Sequence, residues 1–218
     1  MKKGLRMVKM LTAKEAVETY FYSGATVTFG GFANGLMHPE AIMAALEQAG
    51  RAGRLRDLKV VFASGQGDSG ERGLNHLAVD GLCETVIGGH WGLAVRLGEM
   101  AMKNSFAAYN LPQGVISHMY RDIAAHKVGT ITHVGLYTFV DPRNGGGKLN
   151  SATTEDIVKI VNIEGQERLL YKSFPINVVF VRGSYADEYG NCTVHHEIGP
   201  IDVTAMAQAC RNSGGKVI

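Results

Sequence analysis

The 218-residue sequence holds only three cysteines, Cys83, Cys192 and Cys210, widely spaced and without a C-x-x-C pair. That scarcity excludes a disulfide frame and the common cysteine zinc sites, and it fits buried apolar thiols in a reducing, cytoplasmic compartment. No apolar run has the length of a membrane span, and none follows the basic Lys2, Lys3, Arg6 and Lys9 as a signal peptide requires. Charge of one sign is also lacking: the net value is +2 with both signs mixed, so no basic stripe matches a nucleic-acid backbone. Small anionic ligands stay compatible with that balance. Proline is scarce at 5 residues, which leaves glycine, at 28, to punctuate the chain in many short turns. A hydrophobic content of 45% suffices for one well-formed core, and one domain over residues 1–218 is the working expectation.

Apolar runs and helical patterns alternate. Thr12-Ala13-Lys14-Glu15 has capping-box spacing and opens a helix that ends near Gly24. A strand over Ala25 to Phe29 leads to a helix from Pro39 to Ala49, then to a second apolar run from Leu58 to Ala63. Further strands are expected at Thr85 to Ile87, Ile131 to Val134 and Asn177 to Val181, with helices at Leu93 to Lys103, Gly114 to Ala125 and Val203 to Arg211. The fold class this predicts is α/β, an open and mostly parallel sheet covered by helices. Val158 to Ile163 and Arg168 to Tyr171, joined by Glu164-Gly165-Gln166-Glu167, add a small antiparallel hairpin. Lys216-Val217-Ile218 reads as the start of a strand, from which truncation before a further half is expected.

Several motifs stand at the ends of these elements. Gly30-Gly31-Phe32 follows the first strand, and bare glycine backbone there can turn N–H groups toward a ligand; a plain strand-to-helix connection is the alternative. Gly65-Gln66-Gly67-Asp68-Ser69-Gly70 is a literal G-x-G-x-x-G after a strand. Dinucleotide binding is the lesser reading of it, because Glu84 precedes the next strand instead of ending it and Asp68 and Glu71 repel phosphate. Lys148 after Gly145-Gly146-Gly147 lacks the Ser or Thr and the upstream glycine of a phosphate loop, which leaves a solvent loop. His195-His196-Glu197 places adjacent side chains on opposite faces of an extended segment, so no metal is expected. His90, in Gly88-Gly89-His90-Trp91, can face a ligand or serve as a packing residue. Gln113 and Gly114, behind Pro112, open a helix whose N-terminus suits a carboxylate or a developing oxyanion. Ala186-Asp187-Glu188-Tyr189-Gly190-Asn191 reads as a turn with a solvated Glu188.

Taken in register, the Gly30-Gly31-Phe32 turn with Pro39, Leu111-Pro112-Gln113-Gly114 and Ala186 to Asn191 resemble the α-type half of family I coenzyme A transferases. Gly88-Gly89-His90-Trp91, Arg121-Asp122-Ile123-Ala124 and Asp141-Pro142-Arg143-Asn144-Gly145-Gly146-Gly147-Lys148 are similar to the acetate/propionate branch. The resemblance implies a CoA-transferase fold and a ping-pong exchange through a glutamyl-CoA thioester, with acyl-CoA and a short-chain carboxylate as substrates and no tightly bound cofactor. It places the reacting glutamate in a β-type half, fused or separate, whose motif this chain lacks, so no catalytic residue is assigned here. The implied substrate wall is Gly30, Gly31, Phe32, Gln66, His90, Gln113 and Gly114, in a homo-oligomeric enzyme. An acyl-CoA hydrolase and a non-catalytic CoA- or partner-binding domain are the rival functions.

Overall fold

The computed structural model describes residues 8–218; Lys2, Lys3 and Arg6 of the basic segment lie outside them. In chain order the elements are α1 (Ala13–Tyr20), β1 (Thr26–Phe29), α2 (Glu40–Arg51), β2 (Leu58–Phe62), β3 (Cys83–Gly88), α3 (Val95–Met102), β4 (Ala107–Asn110) and α4 (Gln113–Ala124). These are followed by β5 (Gly129–Thr132), β6 (Val158–Ile163), β7 (Gln166–Lys172), β8 (Val178–Phe180), β9 (Tyr185–Ala186), β10 (Cys192–Thr193), α5 (Val203–Asn212) and β11 (Lys216–Val217).

Six strands form one parallel sheet in the order β11-β8-β1-β2-β3-β4, the mostly parallel α/β architecture expected from the alternation. The chain winds outward from β1 to β4 on one side and adds β8 and β11 on the other. The carboxyl ends of β1, β2 and β8 therefore flank a topological switch point, where open α/β sheets bind ligands.

Strand side chains alternate between two cores. Val27, Val60, Val86 and Val178 pack with Leu46 of α2, Leu97 of α3 and Val17 of α1. Val61, Ile87, Tyr109 and Val179 face the other way, onto Ile116 and Tyr120 of α4 and Met206 of α5. Burial on both faces is why these strands read as continuous apolar runs. One buried polar link crosses the second layer: Thr28 Oγ1 donates to the Val61 carbonyl at 2.8 Å and accepts from the Tyr120 hydroxyl at 2.9 Å. It ties the middle of α4 to β1.

The structure departs from the sequence reading in several places, among them Cys192, which is exposed and pairs in β10 with β9 instead of being a buried thiol. β4 was not foreseen, because Ala107-Ala108-Tyr109-Asn110 has no β-branched residue and is held by pairing with β3. The strand expected at Ile131 to Val134 is β5, two residues earlier, and it pairs antiparallel with β7 outside the main sheet. The hairpin closes in two residues, Glu164 (φ 51°) and Gly165 (φ 79°), a positive-φ pair of the I′ kind, so Gln166 and Glu167 belong to β7. The Gly145-Gly146-Gly147-Lys148 segment is not a free solvent loop. Asn110 N–H donates to the Gly147 carbonyl at 2.8 Å, Leu149 N–H to Ala108 at 2.9 Å, and Lys148 pairs with Asp156 at 2.7 Å, which covers the edge of β4.

A short turn of helix, Leu74–Leu77, is tied to α2 through His76, whose Nδ1 lies 2.5 Å from Glu47 and Nε2 3.0 Å from Glu40. Burial by itself lowers the imidazole pKa, but the hydrogen bonds to Glu47 and Glu40 outweigh it and raise it. Burial likewise raises the Glu47 carboxyl, and the hydrogen bonds from His76 and Arg51 bring it below its usual value. With His76 raised, its contribution is complete below the unfolded value of about 6.5 and fades as pH climbs through the folded value. With Glu47 lowered, its contribution is complete above about 4.3 and fades as pH falls through the folded value. His76→Gln is therefore expected to lower stability by about 1–2 kcal/mol near pH 5.5 and by clearly less at pH 9. Urea unfolding at the two pH values measures this, and an equal loss at both would refute the ion-pair account.

Candidate functional site

The four loops that leave the carboxyl ends of β1 to β4 meet above the sheet, and they meet on glycine. After β1, Gly30 is buried and its N–H donates to the Phe180 carbonyl at 3.1 Å. This corrects the expectation that both glycines present free N–H groups: Gly30 extends the ladder from β1 to β8. The Gly31 N–H makes no hydrogen bond within the described residues. A Cβ on Gly31 would stand 2.6 Å from His38 Cδ2 and 2.9 Å from Gln66 Oε1, so only glycine lets these side chains close against the turn.

Gln66 is 1% exposed. Its Nε2 donates to the Phe29 carbonyl at 3.0 Å, while Oε1 has no partner. The amide thus holds the end of β1 and leaves its oxygen as an unpaired acceptor. His38, 2% exposed, leaves both ring nitrogens unpartnered in the same place. Burial pushes its pKa below the ordinary value, against the raising influence of Glu40, and keeps the imidazole neutral. Sequence reasoning missed His38; its position just before Pro39, at the exit of the glycine turn, was the available signal.

The remaining expected residues form an adjoining group. A Cβ on Gly65 would lie 2.3 Å from His90 Nδ1, and one on Gly89 would lie 2.2 Å from the Ala63 carbonyl and 2.8 Å from Gln113 Cγ. The segment from Ala63 to Gln66 is therefore clasped between His90 and Gln113 on one side and Gly31 on the other. Gln113 and Gly114 are exposed at the start of α4, where no side chain caps the helix and the first N–H groups face outward. Phe32 is exposed on the rim.

Beside this rim an open cleft of about 460 Å³ is lined by Phe32, Ser64, Ser117, Ile198, Ile201 and Asp202. Ser117 Oγ donates to Asp202 Oδ2 at 2.6 Å across the space between α4 and the start of α5. The sequence reading missed this pair as well. Ser117 lies one helical turn beyond Gln113 and Asp202 directly precedes α5, so a pairing of helix starts could have found them.

The other motifs close on themselves. No α-helix opens on Gly65 to Gly70; the loop runs into the short Leu74–Leu77 turn, and a Cβ on Gly67 would meet the Leu93 carbonyl at 2.2 Å. Asp68 Oδ1 accepts from Gly70 N–H at 2.9 Å and Arg72 N–H at 3.0 Å, leaving no cradle for a pyrophosphate. The dinucleotide reading fails on that geometry. His195 and His196 do not oppose each other: they sit in a turn with ring centroids 4.3 Å apart, and Tyr185 stacks on His195 at 5.5 Å. Among the described residues no group of three or more His, Cys, Asp or Glu is arranged for a metal ion. Asp187 closes the turn around Glu188 by accepting from Tyr189 and Asn191 N–H at 2.9 and 2.8 Å, and Glu188 is exposed. No helix among the described residues is long and apolar enough to cross a membrane.

Residues 10–213 match the family model described as coenzyme A transferase. Over 97% of its length the chain is 38% identical to acetate CoA-transferase YdiF of Escherichia coli K12, of which it spans 40%. It is 41% identical, over 97% of its length, to the caffeate CoA-transferase of Acetobacterium woodii, again spanning 40% of that protein. The crystal structure of acyl-CoA transferase YdiF from Escherichia coli O157:H7, a thioester complex with CoA, matches with a TM-score of 0.94 at 37% identity, covering 97% of this chain and 41% of that one. The chain thus corresponds to two fifths of the length of these relatives, folded around a switch-point rim, and it belongs to the coenzyme A transferase family.

Proposed function

We propose that the chain is the α-type half of a short-chain acyl-CoA:carboxylate CoA-transferase of the acetate/propionate kind, with its nucleophilic glutamate on a β-type half outside this sequence. The observation that carries the reading is the placement of Gly31, Gln66 and the start of α4 on one switch-point rim, in a chain 38% identical to an acetate CoA-transferase. That rim holds polar positioning groups: a free Gly31 N–H, the N–H groups of Gln113 and Gly114, and neutral His38.

In the proposed cycle the glutamate carboxylate attacks the thioester carbonyl, the C–S bond breaks, and CoA leaves as thiolate from an acyl-glutamyl anhydride. The thiolate attacks the glutamyl carbonyl and releases the first carboxylic acid as its carboxylate, giving a glutamyl-CoA thioester. An acceptor carboxylate then runs the two steps in reverse, restoring the glutamate. CoA thioester enters as substrate, and the reading includes no tightly held cofactor. Each tetrahedral intermediate carries an oxyanion that needs fixed donors, and Gly31 and the start of α4 supply them. Gln66 anchors the Phe29 carbonyl, and His90 holds the Ser64–Gly65 segment between those donors. The β-type half, in cis or as a subunit, closes the other wall. Cytoplasmic location and a homo-oligomeric assembly complete the reading.

Two measurements on the polypeptide joined to its β-type half test it. CoA transfer from acetyl-CoA is expected to require an added carboxylic acid; CoA release that ignores the acid would identify a hydrolase and overturn the proposal. Gln113→Ala keeps the backbone N–H but removes the side chain that rests against Gly89, and through the lost positioning of the helix start it is expected to lower kcat/KM by about 10–100-fold, with little change in Tm. Unchanged turnover and acid selectivity would remove Gln113 from the site. Gly31→Ala is expected to cost at least as much activity, because its Cβ forces His38 and Gln66 from their places; activity at the wild-type level would show that the turn is only a connection.

A further inference from the structure

The cleft beside the rim has an uneven chemistry. Phe32, Ile198 and Ile201 give it apolar sides, Ser64 and Ser117 are neutral, and Asp202 is the one charged residue among those that line it. Asp202 is half-buried and fixed: its Oδ2 accepts the Ser117 hydroxyl at 2.6 Å, a length typical of a hydroxyl bound to an ionised carboxylate. Its Oδ1 accepts no hydrogen bond within the described residues, and no ion pair among those residues includes Asp202. The nearby cation on α4, Arg121, lies one turn further along the helix, is exposed, and donates to the Ser117 carbonyl at 3.0 Å.

We propose that Asp202 is a specificity residue that confines the acids this protein accepts to monocarboxylates, by rejecting a second carboxylate in the cleft. The inference rests on the CoA-transfer reading above. An acid whose reacting carboxylate lies at the Gly31 and Ser64 end projects its tail into the cleft. An apolar tail meets Phe32, Ile198 and Ile201 and gains from burial. A tail ending in a carboxylate meets Asp202 with no cation in the lining to compensate, and both charges lose water as they approach. A like charge within a few ångströms at a partly solvated site weakens binding by about tenfold or more, and salt relieves part of that penalty. Ser117 acts through Asp202: it sets the carboxylate's orientation without carrying charge itself.

The experiment compares kcat/KM for propionate and succinate as acceptors in the joined two-half enzyme, at low and high salt, for wild type, Asp202→Asn, Asp202→Glu and Ser117→Ala. Wild type is expected to favour propionate, with a succinate-to-propionate ratio that rises with salt. Asp202→Asn should raise that ratio about tenfold or more and abolish its salt dependence, while Asp202→Glu and Ser117→Ala keep the charge and the preference. A folded, active Asp202→Asn with an unchanged ratio overturns the proposal, as does a wild type equally active on both acids. If Asp202→Asn does not fold, the wild-type ratio decides: one that does not move with salt overturns the proposal. Absence of transfer to any acid would instead overturn the CoA-transfer reading itself.

Discussion

The rim depends on a steric condition: the ends of β1, β2 and β3 can come together only where there is no Cβ. Gly31 faces His38 and Gln66, Gly65 faces His90, and Gly89 sits between the Ala63 carbonyl and Gln113, each with less room than a side chain needs. Because the contacts are made between backbone and neighbouring side chains, the loops brace one another. The same closeness fixes the start of α4 relative to the Gly31 turn, since Gln113 rests on Gly89 and Tyr120 is hydrogen-bonded to Thr28 in the strand that carries Gly31. A methyl group at any of these glycines would be transmitted along the rim, because packed interiors do not yield continuously.

On the proposed CoA-transfer reading that architecture separates two jobs. The sheet end supplies fixed dipoles and shape, while the adjoining cleft supplies polarity that differs from one wall to the other. His38 lies beneath the turn, where burial lowers its pKa below the ordinary value. The second job falls to Phe32 and to the Ser117–Asp202 pair, both at the border between rim and cleft. On that reading such groups bias which substrate is held, without entering the exchange of bonds.

Much of the scaffold was legible in the sequence because it is written in periodicity. Buried parallel strands read as apolar runs at β1, β2 and β8, and the capping box at Thr12 marked α1, where both of its reciprocal hydrogen bonds form. β4 was not legible: Ala107-Ala108-Tyr109-Asn110 is a strand only because β3 offers it a partner. The residues gathered at the rim could be named one by one from strand ends and a helix start, but their working parts could not. The Gly30 N–H is consumed by Phe180 and the Gln66 amide nitrogen by Phe29, and these facts follow from pairing between strands far apart in sequence. For the same reason His38 and Asp202 carried only a positional signal, beside Pro39 and before α5: each is an ordinary residue locally, and burial or a partner 85 positions away gives it meaning.

The distribution of unpartnered polar atoms carries the argument one step further. Buried polar groups without a hydrogen bond cost about 1–3 kcal/mol each, so a fold tolerates few of them and their location is informative. Among the described residues they belong to His38, Gln66, Trp91, Asn110 and Ser173. The first four follow or end β1, β2, β3 and β4 in turn, all at the carboxyl end of the sheet, and only Ser173 lies elsewhere. Unmet polarity scattered by chance would not track the strand order. Its concentration on one edge means that the strand ends, where the ladder stops and the glycine turns begin, are where this fold satisfies its polar groups least from within.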